Sequence, residues 1–280
     1  MNRILFLCVA LAVGAMASIA QAEFLTNGNF EDPADWGALG APGNDALPAG
    51  WTHVDPPDRM NPAVKQTGVN AIGGSGTSAY LPADFGAATE DRRDMWNVVS
   101  SFGYDWVLQY DFACEDPNTE VNADRSLSSA VELTNLNRII HRITDLDNDG
   151  YGDFQIYDKT ISNYRLIFGN SVQFDPDVSE TPVVNHIKFT GHYDGSKQVY
   201  DVELTNGLGT FTATDLAYYH YLLSGTGSRA VTGAEGVSFN TFNSKADSLV
   251  DNVSLTVPEP GILLLLTCGT MCLVGMRRRG

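Results

Sequence analysis

Gly-Tyr-Asp-Trp-Val-Leu-Gln-Tyr-Asp-Phe-Ala, residues 103–113, decides the fold class. In an extended chain Tyr104, Trp106, Leu108, Tyr110 and Phe112 share one face, and Asp105, Val107, Gln109 and Asp111 share the other. That two-residue period is the mark of a strand with one dry and one wet side. Weaker versions of the pattern lie at 130–134, 138–144, 154–157, 164–168 and 183–193, and again at 198–205, 236–242 and 248–257. Gly, Asn, Asp and Pro cluster between these runs, with Asp194-Gly195 and Asn206-Gly207 read as turns, the latter ending a strand. Residues 215–223 are the best helical candidate, although their Tyr218-Tyr219-His220-Tyr221 run fits a strand equally well. Short strands, frequent turn signals and no long amphipathic helix predict an all-β, two-sheet sandwich.

The two ends read differently. Met1-Asn2-Arg3 is a basic start, residues 4–19 are almost wholly apolar, and Ala20-Gln21-Ala22 is a small-residue cleavage site. Together they predict a secretory signal peptide over 1–22, cut by signal peptidase to leave Glu23 first. At the other end Pro258-Glu259-Pro260 precedes an apolar run, 262–276, and then Arg277, Arg278 and Arg279. The prolines read as an extended, protease-accessible connector, because they continue neither a ladder nor a helix. The apolar run, at ~1.5 Å per residue, falls short of the ~20 residues that cross a bilayer, so it spans only with tilt, thinning or snorkelling. The arginines orient it cytoplasm-inward.

This tail, 258–280, resembles the PEP-CTERM sorting signal of Gram-negative bacteria that make extracellular polysaccharide. The resemblance rests on Pro258-Glu259-Pro260, the short transmembrane helix expected at 262–276 and the basic end. It implies recognition by an exosortase, a membrane cysteine protease, after transient anchoring in the inner membrane. Cell surface or extracellular matrix is then the destination. Such tails sit on unrelated bodies and carry an address without an activity.

Between the ends lies one expected domain, residues 23–257. The chain has 17 Lys and Arg against 34 Asp and Glu; setting aside Arg3, the three tail arginines and Glu259 leaves 13 against 33, a net charge of −20 for the body. So acidic a surface repels phosphate backbones, which argues against nucleic acid and favours calcium and neutral or basic partners. Solvation of a secreted protein is the plainer reading of the same charge. Cys8, after Leu7, stands too early for a lipoprotein cysteine, and Cys268 and Cys272 fall in the tail, so Cys114 alone remains in the body. One thiol forms no internal disulfide, and Glu115 and Asp116 beside it oppose a reactive thiolate. Cys114 is expected to be packed.

The body opens with Leu25-Thr26-Asn27-Gly28-Asn29-Phe30-Glu31, soon presents Gly50-Trp51, and closes with Leu249-Val250-Asp251-Asn252-Val253-Ser254-Leu255. That frame resembles the galactose-binding-like jelly-roll carbohydrate-binding modules, with a concanavalin-like sandwich as the rival topology. The resemblance implies an opening strand at 25–31, a structural Trp51 and a calcium joining first and last strands through Glu31 and Asp251. Alternation independently turns Asp251 inward beside Leu249, Val253 and Leu255, where a lone carboxylate needs a cation, a metal or a proton, unless it meets water at a bulge.

Asp145-Leu146-Asp147-Asn148-Asp149-Gly150-Tyr151-Gly152-Asp153 is the strongest motif inside the body. Acids at positions one, three and five, Gly at six, a carbonyl at seven and Asp at nine are what a hard, oxygen-seeking cation needs. The calcium set expected is Asp145, Asp147, Asp149, the Tyr151 carbonyl and Asp153, with Asp158 able to close the shell. The loop resembles those of EF-hands, dockerins and FG-GAP repeats. Ile156 stands where an EF-hand places its bidentate Glu, so the strand-flanked version fits better; a merely solvated acidic hairpin is the alternative.

No catalytic signature is present. His53, His141, His186, His192 and His220 show no close zinc spacing, and no Gly-x-Ser-x-Gly or phosphate loop occurs. Residues 74–79 mimic a dinucleotide fingerprint without its βαβ setting and read as a loop. The acids near Glu90-Asp91, Asp94 and Glu115-Asp116 lack the spacing of concanavalin-like glycosidases, and acids this abundant pair by chance. Trp106 and Trp51 belong to the core, which leaves Trp36 and Trp96 as the candidates for stacking on sugar rings. The sequence therefore predicts an exported, non-catalytic, calcium-stabilised β-sandwich that binds extracellular polysaccharide. Its alternatives are a surface protein without a ligand site and a secreted hydrolase or lyase.

Overall fold

The computed structural model describes residues 21–23, 25, 28–31, 50–52, 64–81, 94–99, 105–117, 128–133, 138–158, 161–196, 198–218, 234–240 and 246–258. In chain order the strands are β1 (Gln21–Glu23), β2 (Trp51–Thr52), β3 (Val64–Thr67), β4 (Thr77–Leu81), β5 (Asp94–Val98), β6 (Trp106–Cys114), β7 (Ser128–Leu133) and β8 (Arg138–Thr144). They continue as β9 (Tyr151–Asp158), β10 (Asn163–Gln173), β11 (Asn185–Tyr193), β12 (Gln198–Asn206), β13 (Gly209–Leu216), β14 (Ala234–Asn240) and β15 (Ser248–Pro258). The helical elements among the described residues are two 3₁₀ turns, Gly68–Asn70 and Ile72–Gly74.

The chain divides into two units. In the smaller, formed by the chain ends, β1 pairs antiparallel with the end of β15, Gln21 opposite Pro258. Pro258 therefore closes a ladder in place of the connector expected there; as the last residue of its strand it has little need of the N–H it lacks. The larger unit, Phe24–Leu255, is a β-sandwich. One sheet runs β13-β12-β11-β6-β15-β4-β3 and the other β10-β9-β8-β7-β14-β5-β2.

Aromatic residues join the inner faces. Tyr110 of β6 meets Phe239 of β14 edge-on at 4.8 Å, His141 of β8 lies 5.6 Å from Phe189 of β11, and Phe168 of β10 lies 6.0 Å from Phe211 of β13. The wet-dry alternation of β6 is kept, with Trp106, Leu108, Tyr110 and Phe112 buried and Val107, Gln109 and Asp111 half-exposed. Trp51 packs between Phe30 and Phe239, and Cys114 is buried, both as expected. Rings buried in this way, together with the aliphatic residues around them, supply the apolar burial that stabilises a sandwich.

Four expectations are corrected. Gly28 and Asn29 form a turn, not an opening strand, and Phe30 beyond them enters the core at φ 52°, outside the extended region. Of residues 74–79, Thr77, Ser78 and Ala79 begin β4, since their side chains are buried. Asp215 and Leu216 end a strand; their Thr-rich neighbours on β13 alternate across it and leave no helix there among the described residues. Strands β1 to β5 and β13 were not anticipated, the first five being short and β13 lacking a continuous apolar face. Residues 1–20 and 259–280, which hold both sorting segments apart from Gln21, Ala22 and Pro258, lie outside the described residues.

Candidate functional site

Strands β8 and β9 form a hairpin whose connection is the acidic loop 145–150. Asn148 at φ 60° and Gly150 at φ 85° provide the left-handed steps that curl it, the second being the glycine expected at position six. Asp145 is buried and organises the loop: its oxygens accept the backbone N–H groups of Asn148 at 2.7 Å, Asp149 at 3.3 Å and Gly150 at 3.1 Å. Asp145, Asp147 and Asp149 each bring a carboxylate oxygen within 4.8 Å of the others. Asp147 is held above the usual carboxylate range by local desolvation and then by the charges of Asp149, Asp153 and Asp145. Oxygens held together against their own repulsion fit a hard divalent cation.

Asp153 stands beside this trio in another role. Buried in β9, it accepts the Leu146 amide at 2.9 Å on one oxygen and the Asn170 amide at 3.0 Å on the other, tying β10 to the loop. The Asn170 side chain also donates to Asp149 at 2.6 Å, and the Tyr151 amide donates to Asp149 at 3.0 Å. Asp158 does not close the shell. It sits at the far end of β9, some 20 Å along the strand at ~3.3 Å per residue, and pairs with Arg165 at 2.6 Å.

The second expected site is assembled from chain segments far apart in sequence. The Val253 amide donates to the Gly28 carbonyl at 2.8 Å, and a methyl on Gly28 would lie 1.8 Å from the Val253 oxygen, so the turn and β15 meet backbone to backbone. Asp251, 2% exposed, accepts the Ser78 hydroxyl at 2.8 Å and the Asn252 amide at 2.6 Å. The Ser78 oxygen in turn accepts the Ile72 amide at 2.8 Å. Burial pushes Asp251 up to about 7 against the lowering of those two bonds, and the charges of Glu31 and Asp111 add to the rise. Glu31 lies against Gly76, where a Cβ would come within 2.1 Å of its carboxylate. Two neighbouring carboxylates, one of them desolvated, fit either a cation or a shared proton. Beside them His186 donates to Asp111 at 2.6 Å and the Asn252 side chain donates to Asp111 at 2.8 Å, and the Asp111 bond raises the His186 pKa.

The outer face of β8–β10 presents an arrangement that sequence reading missed. Arg142 lies across from Gln155, and Tyr157 across from Tyr164. The Arg142 guanidinium sits 4.0 Å above the Tyr164 ring and donates to Gln155 at 2.8 Å, while the two tyrosine rings meet nearly perpendicular at 5.2 Å. Leu166, one step along the same face, is 49% exposed. The patch thus joins aromatic faces, an apolar edge and a guanidinium, over a Gln155 amide that is only 3% exposed. Period two already placed 155 with 157 and 164 with 166; only the register across 159–162 would have brought them together.

Trp36 and the Trp96 side chain lie outside the described residues, as do Glu90, Asp91, Glu259, Pro260, Arg277, Arg278 and Arg279. Glu115 accepts the amides of Val178 and Asp247, both at 3.3 Å, and so works as a backbone tie.

No protein-family model and no curated protein sequence matches the chain. Among solved structures, the carbohydrate-binding module CBM66 from Bacillus subtilis is similar over 74% of this chain and 95% of that one, with 12% identity and a TM-score of 0.36. Lotus tetragonolobus seed lectin is similar over 77% and 97%, with 9% identity and a TM-score of 0.42. Basic winged bean lectin, solved with Tn-antigen, is similar over 71% and 91%, with 10% identity and a TM-score of 0.42. Likeness at this level carries no weight for ligand or chemistry.

Proposed function

We propose that the body is a non-catalytic glycan-binding module of jelly-roll type, stabilised by calcium, within an exported protein. In this reading a signal peptide directs export, and an exosortase processes the PEP-CTERM-like tail to leave the body at the cell surface or in the extracellular matrix of a Gram-negative bacterium. The observation that carries the binding reading is the outer-face patch of Arg142, Tyr157 and Tyr164, with Arg142 held by buried Gln155. Pyranose rings offer C–H faces that pack on aromatic rings and hydroxyls that bond to a guanidinium, and the patch provides both, with the buried Gln155 amide holding Arg142 from beneath. The acidic body favours a neutral over a polyanionic glycan.

Calcium enters as a brace. Bound by Asp145, Asp147 and Asp149, with the Tyr151 carbonyl, it would fix the hairpin of β8 and β9 whose outer face carries Arg142, Gln155 and Tyr157. A second ion at Glu31 and Asp251 would neutralise the buried acid of β15.

Retention of the full-length chain on a panel of immobilised neutral and acidic polysaccharides, with calcium and then with chelator, tests the proposal. Saturable retention on a neutral glycan is expected, weakened by chelator and reduced about tenfold in Tyr164→Ala, the loss of roughly one aromatic contact. A folded, calcium-loaded chain retained on no glycan would favour a surface protein without a ligand site, and glycan cleavage would favour the hydrolase or lyase.

A further inference from the structure

Three adjacent strands bring a histidine and two carboxylates together on the outer face of the other sheet. His192 lies on β11, Asp201 on β12 and Asp215 on β13, and one donor atom from each lies within 4.8 Å of the others. Register explains the convergence. Val202 pairs with Ala213 and Tyr200 with Leu216, so Asp201 alone opposes both Thr214 and Asp215. That β-bulge puts Asp215 at φ 57°, and its amide donates to Asp201 at 2.9 Å. A bulge of this kind re-aims a side chain, here toward β12 and β11.

The contacts are looser than in the other histidine–acid pair of this sheet. On the same sheet His186 and Asp111 close to 2.6 Å, as a charge-assisted hydrogen bond should. His192 Nε2 stands 3.4 Å from Asp215 and Nδ1 stands 3.7 Å from Asp201. Each acid faces a different ring nitrogen, so a single ion would take one nitrogen and draw both acids toward it, the nearest set of donor atoms lying within 4.8 Å of one another. The same face carries a groove of about 220 Å³ lined by Lys188, Thr190, Asp201, Glu203, Thr212 and Thr214, so Asp201 borders open space where water or a ligand oxygen could complete a shell.

We infer that His192, Asp201 and Asp215 form a binding site for a divalent transition cation of the zinc class. The imidazole nitrogen sets it apart from the all-oxygen calcium loop: nitrogen with two carboxylates suits zinc, whereas calcium takes oxygen. One ring nitrogen and one oxygen from each acid supply three protein ligands, and the fourth position faces the groove.

Titration calorimetry of the full-length, chelator-treated chain with zinc, in saturating calcium, tests the inference. Wild type should bind one zinc that His192→Gln and Asp215→Asn each weaken by about tenfold or more, as loss of a ligand does. His186→Gln and Asp147→Asn should leave that zinc unchanged. Cobalt in place of zinc should give visible d–d bands that vanish in His192→Gln, without the thiolate charge-transfer band that cysteine ligation would add. All positions are on the surface, and circular dichroism checks the fold of each variant. Zinc binding indifferent to both His192→Gln and Asp215→Asn, or no zinc binding at all, would overturn the site and leave His192 a surface imidazole lying between two acids.

Discussion

The acidic loop between β8 and β9 and the closing strand β15 hold the same side chain in opposite surroundings. Asp145 gathers three backbone amides in a loop whose other acids face solvent, and its neighbours Asp147 and Asp149 come from the same short stretch. Asp251 has one hydroxyl and one amide, lies buried, and meets Glu31 from the other end of the body. The first is a local device in which spacing alone sets the geometry. The second exists only once the sandwich has closed. The loop should therefore respond mainly to calcium, and the closing strand to packing and to protons.

The largest effect should come from breaking the closure. Gly28→Ala places a methyl against the Val253 carbonyl, a backbone atom that cannot move aside without shifting β15. Overpacking of this severity costs about 3 kcal/mol or more. Urea unfolding should show the midpoint fall with calcium present or absent; a loss below about 1 kcal/mol would mean the turn and β15 are not held as described.

Next in size is the proton dependence of Asp251. Its folded pKa of about 7 lies above the ordinary value, so between about pH 4 and 7 the native state binds more protons than the unfolded chain and stability falls as pH rises. His141 acts in the opposite sense. Burial lowers it to about 3, so the unfolded chain binds the extra proton up to about 6.5 and stability rises with pH there. The two nearly cancel in wild type, and the difference from Asp251→Asn isolates the carboxyl. In chelator, Asn should gain on Asp by roughly 2–4 kcal/mol between pH 4 and 7. Saturating calcium should reverse that advantage if Glu31 and Asp251 hold an ion; an unchanged difference would assign the pair a shared proton.

How far the sequence was legible follows the same division. Side-chain alternation placed 103–113 and 138–144 because each strand has one dry face, and the acid loop was readable because its donors sit within a single turn. Inward-facing Asp251 also followed from alternation. Contacts that depend on register did not. Tyr157 and Tyr164, or His192 with Asp201 and Asp215, are near only after strands pair, and the bulge at Asp215 has no mark in composition. The turn at Gly28 was misread as a strand because its cause, contact with Val253, lies at the opposite end of the body.

Within the loop the expected effects are smaller. Asp147→Asn should weaken calcium about tenfold by removing one charged ligand. In chelator it should stabilise the chain slightly, because Asp149, Asp153 and Asp145 would then repel no charge at that position. Calcium titration and thermal unfolding of the same variant read the two signs separately. An affinity unchanged by the substitution would remove Asp147 from the ligand set.

Gly150→Ala makes the sharpest contrast with Gly28→Ala. Both glycines stand in turns, yet a Cβ on Gly150 would meet nothing within 4 Å, so the cost comes from its φ of 85° alone. A left-handed alanine costs about 1 kcal/mol. If the loop is free to relax without metal, that penalty should appear in full with calcium bound and shrink in chelator, whereas the Gly28→Ala penalty should be the same in both. Equal penalties for Gly150→Ala in the two conditions would mean that Asp145 and its three amides hold the loop without an ion, and calcium would then be a guest of a finished turn instead of its organiser.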